Sequence, residues 1–125
     1  MMNPNPAPPR LTRFEDLAFV PRFEHGDMAQ LAAICGADDG TPLGVGIARM
    51  GNACMDWTVT YDEVLIVLSG QLTVRTTDTV MIAGPHDSIW LPAGTSVTYE
   101  AEDCVAAYAI HPASGNPTPA SGQEE

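Results

Sequence analysis

In this 125-residue chain one acid, Glu63, leads directly into the longest β-branched apolar run. The stretch reads Trp57-Thr58-Val59-Thr60-Tyr61-Asp62-Glu63, continues as Val64-Leu65-Ile66-Val67-Leu68, and closes at Ser69-Gly70. A carboxylate beside so much apolar surface is either an edge residue or the polar point of a pocket. In a pocket, burial raises its pKa, which suits acid–base chemistry or recognition of a cationic ligand. Tyr61 is the candidate partner for proton transfer, and Trp57 offers an apolar wall with a polar edge. Trp90, Tyr99 and Tyr108 are further candidates to line a ligand site. The competing reading is that Glu63 bonds to Tyr61, a backbone amide or an arginine and only completes a core. Each aromatic, taken alone, is more often simple packing.

The remaining chemistry-bearing residues narrow the field. His25, His86 and His111 form no recognisable ligand set, and Cys35, Cys54 and Cys104 have neither zinc-site nor redox-pair spacing. The cysteines read as small buried apolar residues in a reducing compartment. There is no lysine, which excludes Schiff-base chemistry and a phosphate-loop lysine. Five basic against sixteen acidic residues give a formal charge of −11, which argues against nucleic acid and anionic membrane as partners. No apolar run approaches the ~20 residues of a membrane helix, and the N-terminus lacks a secretion-signal pattern. The expected location is the cytoplasm.

The elements that must position these residues read as β. Residues 1–12 are a Pro-rich tail and 113–125 a second tail of Ser, Gly, Pro, Asn and Gln, leaving one domain at 13–112. Thr12-Arg13-Phe14-Glu15 has the form of a capping box for a short helical turn. From residue 29 onward, short apolar or alternating segments recur between turn signals, and nine or ten strands are expected. They fall near 30–35, 43–50, 57–60, 63–68, 71–76, 79–83, 88–91, 96–100 and 105–110. The acids Glu100, Glu102 and Asp103 read as solvated turns. Such a pattern predicts an all-β sandwich or barrel. Within 64–68 both strand parities are apolar, so both faces should be covered, one by the interior and the other by a second layer or a subunit contact, which favours a homodimer.

At this point the residues resemble a family. Glu63 followed seven positions later by Gly70 resembles the second half of the first cupin motif, and Pro92-Ala93-Gly94 resembles the Pro-x-Gly of the second. Trp57-Thr58, Tyr61-Asp62-Glu63, Val67-Leu68, Ala83-Gly84-Pro85 and Ser96 resemble more specifically the EutQ cupins of ethanolamine utilisation, over roughly residues 50–112. The resemblance implies a cupin-type double-stranded β-helix, or jelly-roll barrel, commonly dimeric. A metal-binding cupin carries His-x-His-x-x-x-Glu and a further His after Pro-x-Gly. Trp57, Val59 and Val97 occupy those histidine positions here, so no metal and no cofactor is implied, and EutQ-type relatives resemble this chain in that loss. The family often has lysine where Ala93 stands. Acetate kinase activity is ascribed to EutQ, but this chain offers five arginines and no phosphate loop for it.

If the family geometry holds, Trp57, Val59, Tyr61, Glu63, Leu65 and Val67 share the parity that faces the barrel interior, and Thr58, Thr60, Asp62 and Val64 face away. Three readings follow. One is a metal-independent small-molecule-binding or accessory metabolic protein with its pocket at Glu63. A second is a lyase, isomerase or transferase using Glu63 and Tyr61 as acid and base. The third is a structural dimer with a filled barrel. An open pocket separates the first two from the third.

Overall fold

The computed structural model describes residues 7–22 and 27–113. Residues 1–6 and 114–125 of the two expected tails, and His25, lie outside the described residues. Eight strands form: β1 (Val20–Pro21), β2 (Ala29–Cys35), β3 (Gly44–Thr58), β4 (Asp62–Gly70), β5 (Leu72–Arg75), β6 (Val80–Ala83), β7 (Ser88–Leu91) and β8 (Ser96–His111). All pairings are antiparallel, in the order β1-β2-β3-β8-β4-β7, with β5 on the first half of β8 and β6 on β5. This is the all-β architecture expected from the strand pattern, in the jelly-roll form that the resemblance implied. The Thr12 capping box does not form: a 3₁₀ turn covers Phe14–Asp16, Arg13 is its cap residue, and no side chain caps it. Arg10, in the segment read as tail, pairs with Asp39 at 2.8 Å. That guanidinium bond, with the Gly36 amide, holds the Asp39 carboxyl below its ordinary range.

The strand count falls short of nine or ten because two pairs of expected strands are continuous. Segments 43–50 and 57–60 join into the fifteen-residue β3, and 96–100 and 105–110 into the sixteen-residue β8. The two pair in one unbroken register, from Gly44 opposite Ile110 to Thr58 opposite Ser96. Glu100, Glu102 and Asp103 are therefore strand residues, not turns, and Glu100 accepts from Arg75 at 2.8 Å.

Partway along, the ribbon turns over. On β3 the buried positions include Gly44, Gly46, Ala48 and Met50, then switch to Ala53, Met55 and Trp57. On β8 they are Val97, Tyr99 and Ala101, then Cys104 and Ala106. The switch comes at Asn52, whose φ is 46°, opposite the exposed pair Glu102 and Asp103. Asn tolerates the left-handed region better than most side chains. The inversion also explains Cys54. Expected inside, it is exposed, because the switch places its parity outward; Cys104 is buried and Cys35 half-buried.

Between these strands lies a continuous core that includes Met55, Val59, Val67, Leu72, Val74 and Leu91. The two turn glycines of the motifs do different work. Both have positive φ, 79° at Gly70 and 95° at Gly94. A Cβ on Gly70 would run into the Asp103 carbonyl, whereas one on Gly94 would meet open space. Gly94→Ala should therefore cost about 1 kcal/mol of left-handed strain. Gly70→Ala adds a backbone collision and should cost about 3 kcal/mol or more. Urea unfolding of the two variants checks this, and equal losses would contradict the close approach at Gly70.

Candidate functional site: a buried acid in an aromatic cavity

The parity expected for 57–67 is observed. Trp57, Val59, Tyr61, Glu63, Leu65 and Val67 are buried, and Thr58, Thr60 and Asp62 are exposed. Glu63 is the buried charged residue of the described core, with 7% of its surface exposed. It pairs with Ile110 of β8 on one side and Leu91 of β7 on the other. Tyr99 lies on the other half of β8, opposite Met55 and Val74. Its hydroxyl donates to Glu63 Oε1 at 3.0 Å. The two residues share no ladder, so this hydrogen bond crosses the barrel interior and ties its halves together.

An open cavity of about 190 Å³ sits against this pair. Trp57, Tyr61, Tyr99 and Tyr108 line it, and among the described residues Glu63 is its one carboxylate and Arg22 its one cation. Apolar side chains such as Leu31, Met50 and Leu65 supply the rest of the wall. Trp57 Nε1 donates to the Tyr61 hydroxyl at 3.3 Å, which ties the two rings together. The Arg22 guanidinium carbon stands 3.9 Å from the centre of the Trp57 ring, within cation–π range. Its Nη1 lies 3.9 Å from the Met55 sulfur. Arg22 follows directly on the two-residue edge strand β1, and its amide is anchored to the Ala29 carbonyl at 2.9 Å.

Burial pushes the Glu63 carboxyl up from 4.5 to about 7, against the Tyr99 hydrogen bond and the Arg22 charge, which pull it down. Tyr99 is itself raised well above 10, first by burial and then by the neighbouring Glu63. A carboxyl titrating near neutrality can donate or accept a proton, or present either a neutral or an anionic face to a ligand.

Not every expected site residue is here. Trp90 is 58% exposed. It stands between the buried Ile89 and Leu91 on β7, so strand alternation turns its ring outward and it cannot line this cavity. His86 occupies an exposed turn with φ 76°, its amide bonded to the Val67 carbonyl at 2.7 Å. His111 is exposed at the end of β8. Arg22 was missed in the sequence because a lone arginine after Pro21 has no periodicity and lies far along the chain from Glu63.

Metal binding is a property of many barrels of this type, and the donor set here does not fit it. Trp57 and Val97 face each other across the β3–β8 ladder as an apolar pair, and Val59 is fully buried. Among the described residues no group of three or more His, Cys, Asp or Glu could hold an ion. One carboxylate alone does not retain a transition metal. Among the described residues no helix is long and apolar enough to cross a membrane.

The comparisons agree with this architecture. The profile of the family described as ethanolamine utilisation protein EutQ matches residues 22–116. Acetate kinase EutQ of Escherichia coli K12 is 39% identical over 62 residues, 50% of this chain and 27% of that protein. The chain thus spans about a quarter of that curated relative's length. A crystal structure of ethanolamine utilization protein Q from Salmonella typhimurium LT2 superposes with a TM-score of 0.65 at 31% identity, covering 68% of this chain and 70% of that one. KdgF from Halomonas sp. shares the fold at 14% identity, with a TM-score of 0.67 over 80% of this chain and 92% of that one.

The raised Glu63 pKa has a consequence for stability. A carboxyl whose folded pKa lies above its unfolded value favours the fold when protonated. Its contribution is complete below about pH 4.5 and is lost as pH rises through about 7. The interval corresponds to roughly 3 kcal/mol. Glu63→Gln mimics the protonated acid and removes this dependence. The stability advantage of the variant over the wild type should grow by that amount between pH 4.5 and 7.5. Urea unfolding across that range measures it, and a flat difference means Glu63 does not titrate there.

Proposed function

This chain belongs to the EutQ family of cupins, and from that footing we propose that it is a small-molecule-binding protein whose site is the cavity around Glu63. The observation that carries the reading is the Glu63–Tyr99 pair: a carboxyl held near its titration point, hydrogen-bonded, at the wall of an open cavity. A barrel built only to be filled has no use for that arrangement, because a buried acid opposes folding at neutral pH. Cavities of about 150 Å³ hold benzene, so one of about 190 Å³ suits a ligand of roughly six to eight heavy atoms.

The curated relatives are named acetate kinase EutQ. Acetate itself is within the size limit, but phosphoryl transfer requires several cations around a nucleotide triphosphate. Among the described residues the cavity offers Arg22 alone, and it is smaller than the ~300 Å³ at which drug-sized pockets begin. The site therefore gives that activity no support in this chain. A second reading, an acid–base enzyme acting on a small substrate, is favoured by the Glu63 pKa of about 7, close to that of an efficient general base. In that reading Glu63 handles the proton, Tyr61 is its expected partner, and Tyr99 positions it.

The test is a thermal-shift and calorimetric screen with small amines, aldehydes, alcohols and carboxylates. A ligand at a hundred times its Kd should stabilise the wild type by about 2.7 kcal/mol. Glu63→Gln should lose most of that ligand-dependent gain while remaining folded. A gain retained in full by the variant would remove Glu63 from the site, and the absence of any hit in the wild type would sink the reading.

The quaternary expectation becomes a proposal on the other face of the sheet. Ile66 and Leu68 on β4 are each 41% exposed and Trp90 on β7 is 58% exposed, with Val64 opposite Trp90. On a chain of net charge −11, self-association is favoured where acids are absent. The apolar patch of Val64, Ile66, Leu68 and Trp90, with Asp62 at its margin, is the surface a two-fold dimer would cover, and we assign it to a second copy of the chain. Light scattering should give a dimer for the wild type and a monomer for Ile66→Asp; a monomeric wild type overturns the assignment.

A further inference from the structure

The chemistry of the cavity points beyond a small molecule to its charge. Four aromatic side chains, Trp57, Tyr61, Tyr99 and Tyr108, surround one carboxylate. Aromatic faces carry negative charge above and below the ring and attract cations, most strongly on an indole. Among the described lining residues Arg22 is the one cation that could balance an anion, and a bound carboxylate would bring a second negative group up to Glu63.

The chain itself supplies a cation to this wall. The Arg22 guanidinium rests 3.9 Å from the centre of the Trp57 ring and contributes a charge felt by both Glu63 and Tyr99. It reaches there on a long side chain, half-buried, from the end of a two-residue edge strand. Its Nη1 contact is the Met55 sulfur at 3.9 Å, a weak acceptor. An indole face and a thioether are soft contacts that a better-placed cation can replace.

We infer that the ligand of this cavity is a small organic ammonium ion, and that Arg22 occupies the cation position on Trp57 until such an ion displaces it. The inference rests on the reading of the cavity as a binding site and adds the ligand's charge class and the role of Arg22. In the bound state the ammonium lies over the Trp57 face, its charge is balanced by Glu63, and the Tyr99 hydroxyl keeps the carboxylate oriented. Arg22 swings outward to solvent. The guanidinium thus keeps the acid company in the empty site and sets a threshold that only a cation of the right size can cross.

Tryptophan fluorescence provides the readout. The chain has two tryptophans, and Trp90 lies outside the cavity, so a Trp90→Phe background leaves Trp57 as the reporter. Ethylammonium, tetramethylammonium, 2-propanol, acetate and propionate are titrated at pH 8 and constant ionic strength, with calorimetry alongside. The expected result is saturable binding of at least one ammonium ion, with no binding of the alcohol or the carboxylates. Arg22→Gln should tighten that binding at least threefold, and Glu63→Gln should weaken it at least tenfold. Circular dichroism confirms that each variant is folded. Binding of carboxylates in place of ammonium ions overturns the inference while leaving the cavity as a site. Ammonium binding that Arg22→Gln leaves unchanged or weakens overturns the displacement role of Arg22. Failure of every compound, in wild type and both variants, removes the cavity as a site and the inference with it.

Discussion

The structure depends on one two-stranded ribbon. β3 and β8 stay in a single register over their whole lengths, and β8 also carries β5 on its first half and β4 on its second. The two halves of the barrel are therefore fixed relative to each other by continuous backbone and not by loops. The half-turn of the ribbon at Asn52 makes this possible. Without it, alternation along β8 would send Tyr99 and Tyr108, nine positions apart, to opposite faces. With it, both line one cavity. The site is thus a product of the ribbon's inversion, and a regular ladder of the same sequence could not assemble it.

Within that frame the acid is held by opposing forces. Removal from water favours the neutral carboxyl, while the Tyr99 hydroxyl and the Arg22 charge favour the anion. Each alone would give a group with one protonation state at neutral pH. Together they leave it near the point of change. The aromatic wall contributes to both sides, since it excludes water from Glu63 yet presents faces that tolerate a cation beside it.

How much of this was legible in the sequence depended on whether the signal was local. Alternation from Trp57 to Val67 is a local pattern that runs from the end of β3 through a turn into β4, and with the inward parity that the resemblance implied it placed the interior residues and Glu63. Trp90 was misjudged as a lining residue from its type, although its place between Ile89 and Leu91 contained the information that its ring points outward. Gly51-Asn52 fell between two expected strands, and Glu102-Asp103 were read as a solvated turn. They are instead facing points on two continuous strands, and only their pairing reveals that the alternation inverts there. Arg22 could not be found by periodicity at all. Its role comes from a tertiary contact between an edge strand and a ring thirty-five positions later.

The same logic explains how an acid can persist where the metal-ligand positions do not. Trp57 and Val97 stand directly across the ladder, so two would-be ligand positions become one packed apolar contact. Val59, just past the end of β3, is buried at the next inward position. A carboxylate left behind by such replacements would be an uncompensated buried charge, worth several kcal/mol against the fold. Here the compensation comes from elsewhere: a hydroxyl across the barrel, a guanidinium from the edge strand, and a proton when neither suffices. Those three are adjustable where a bound metal is not, since the hydroxyl can rotate, the guanidinium can leave and the proton can exchange. A site built on them responds to the charge of what enters it, which is a property that a closed apolar core of the same size could not have.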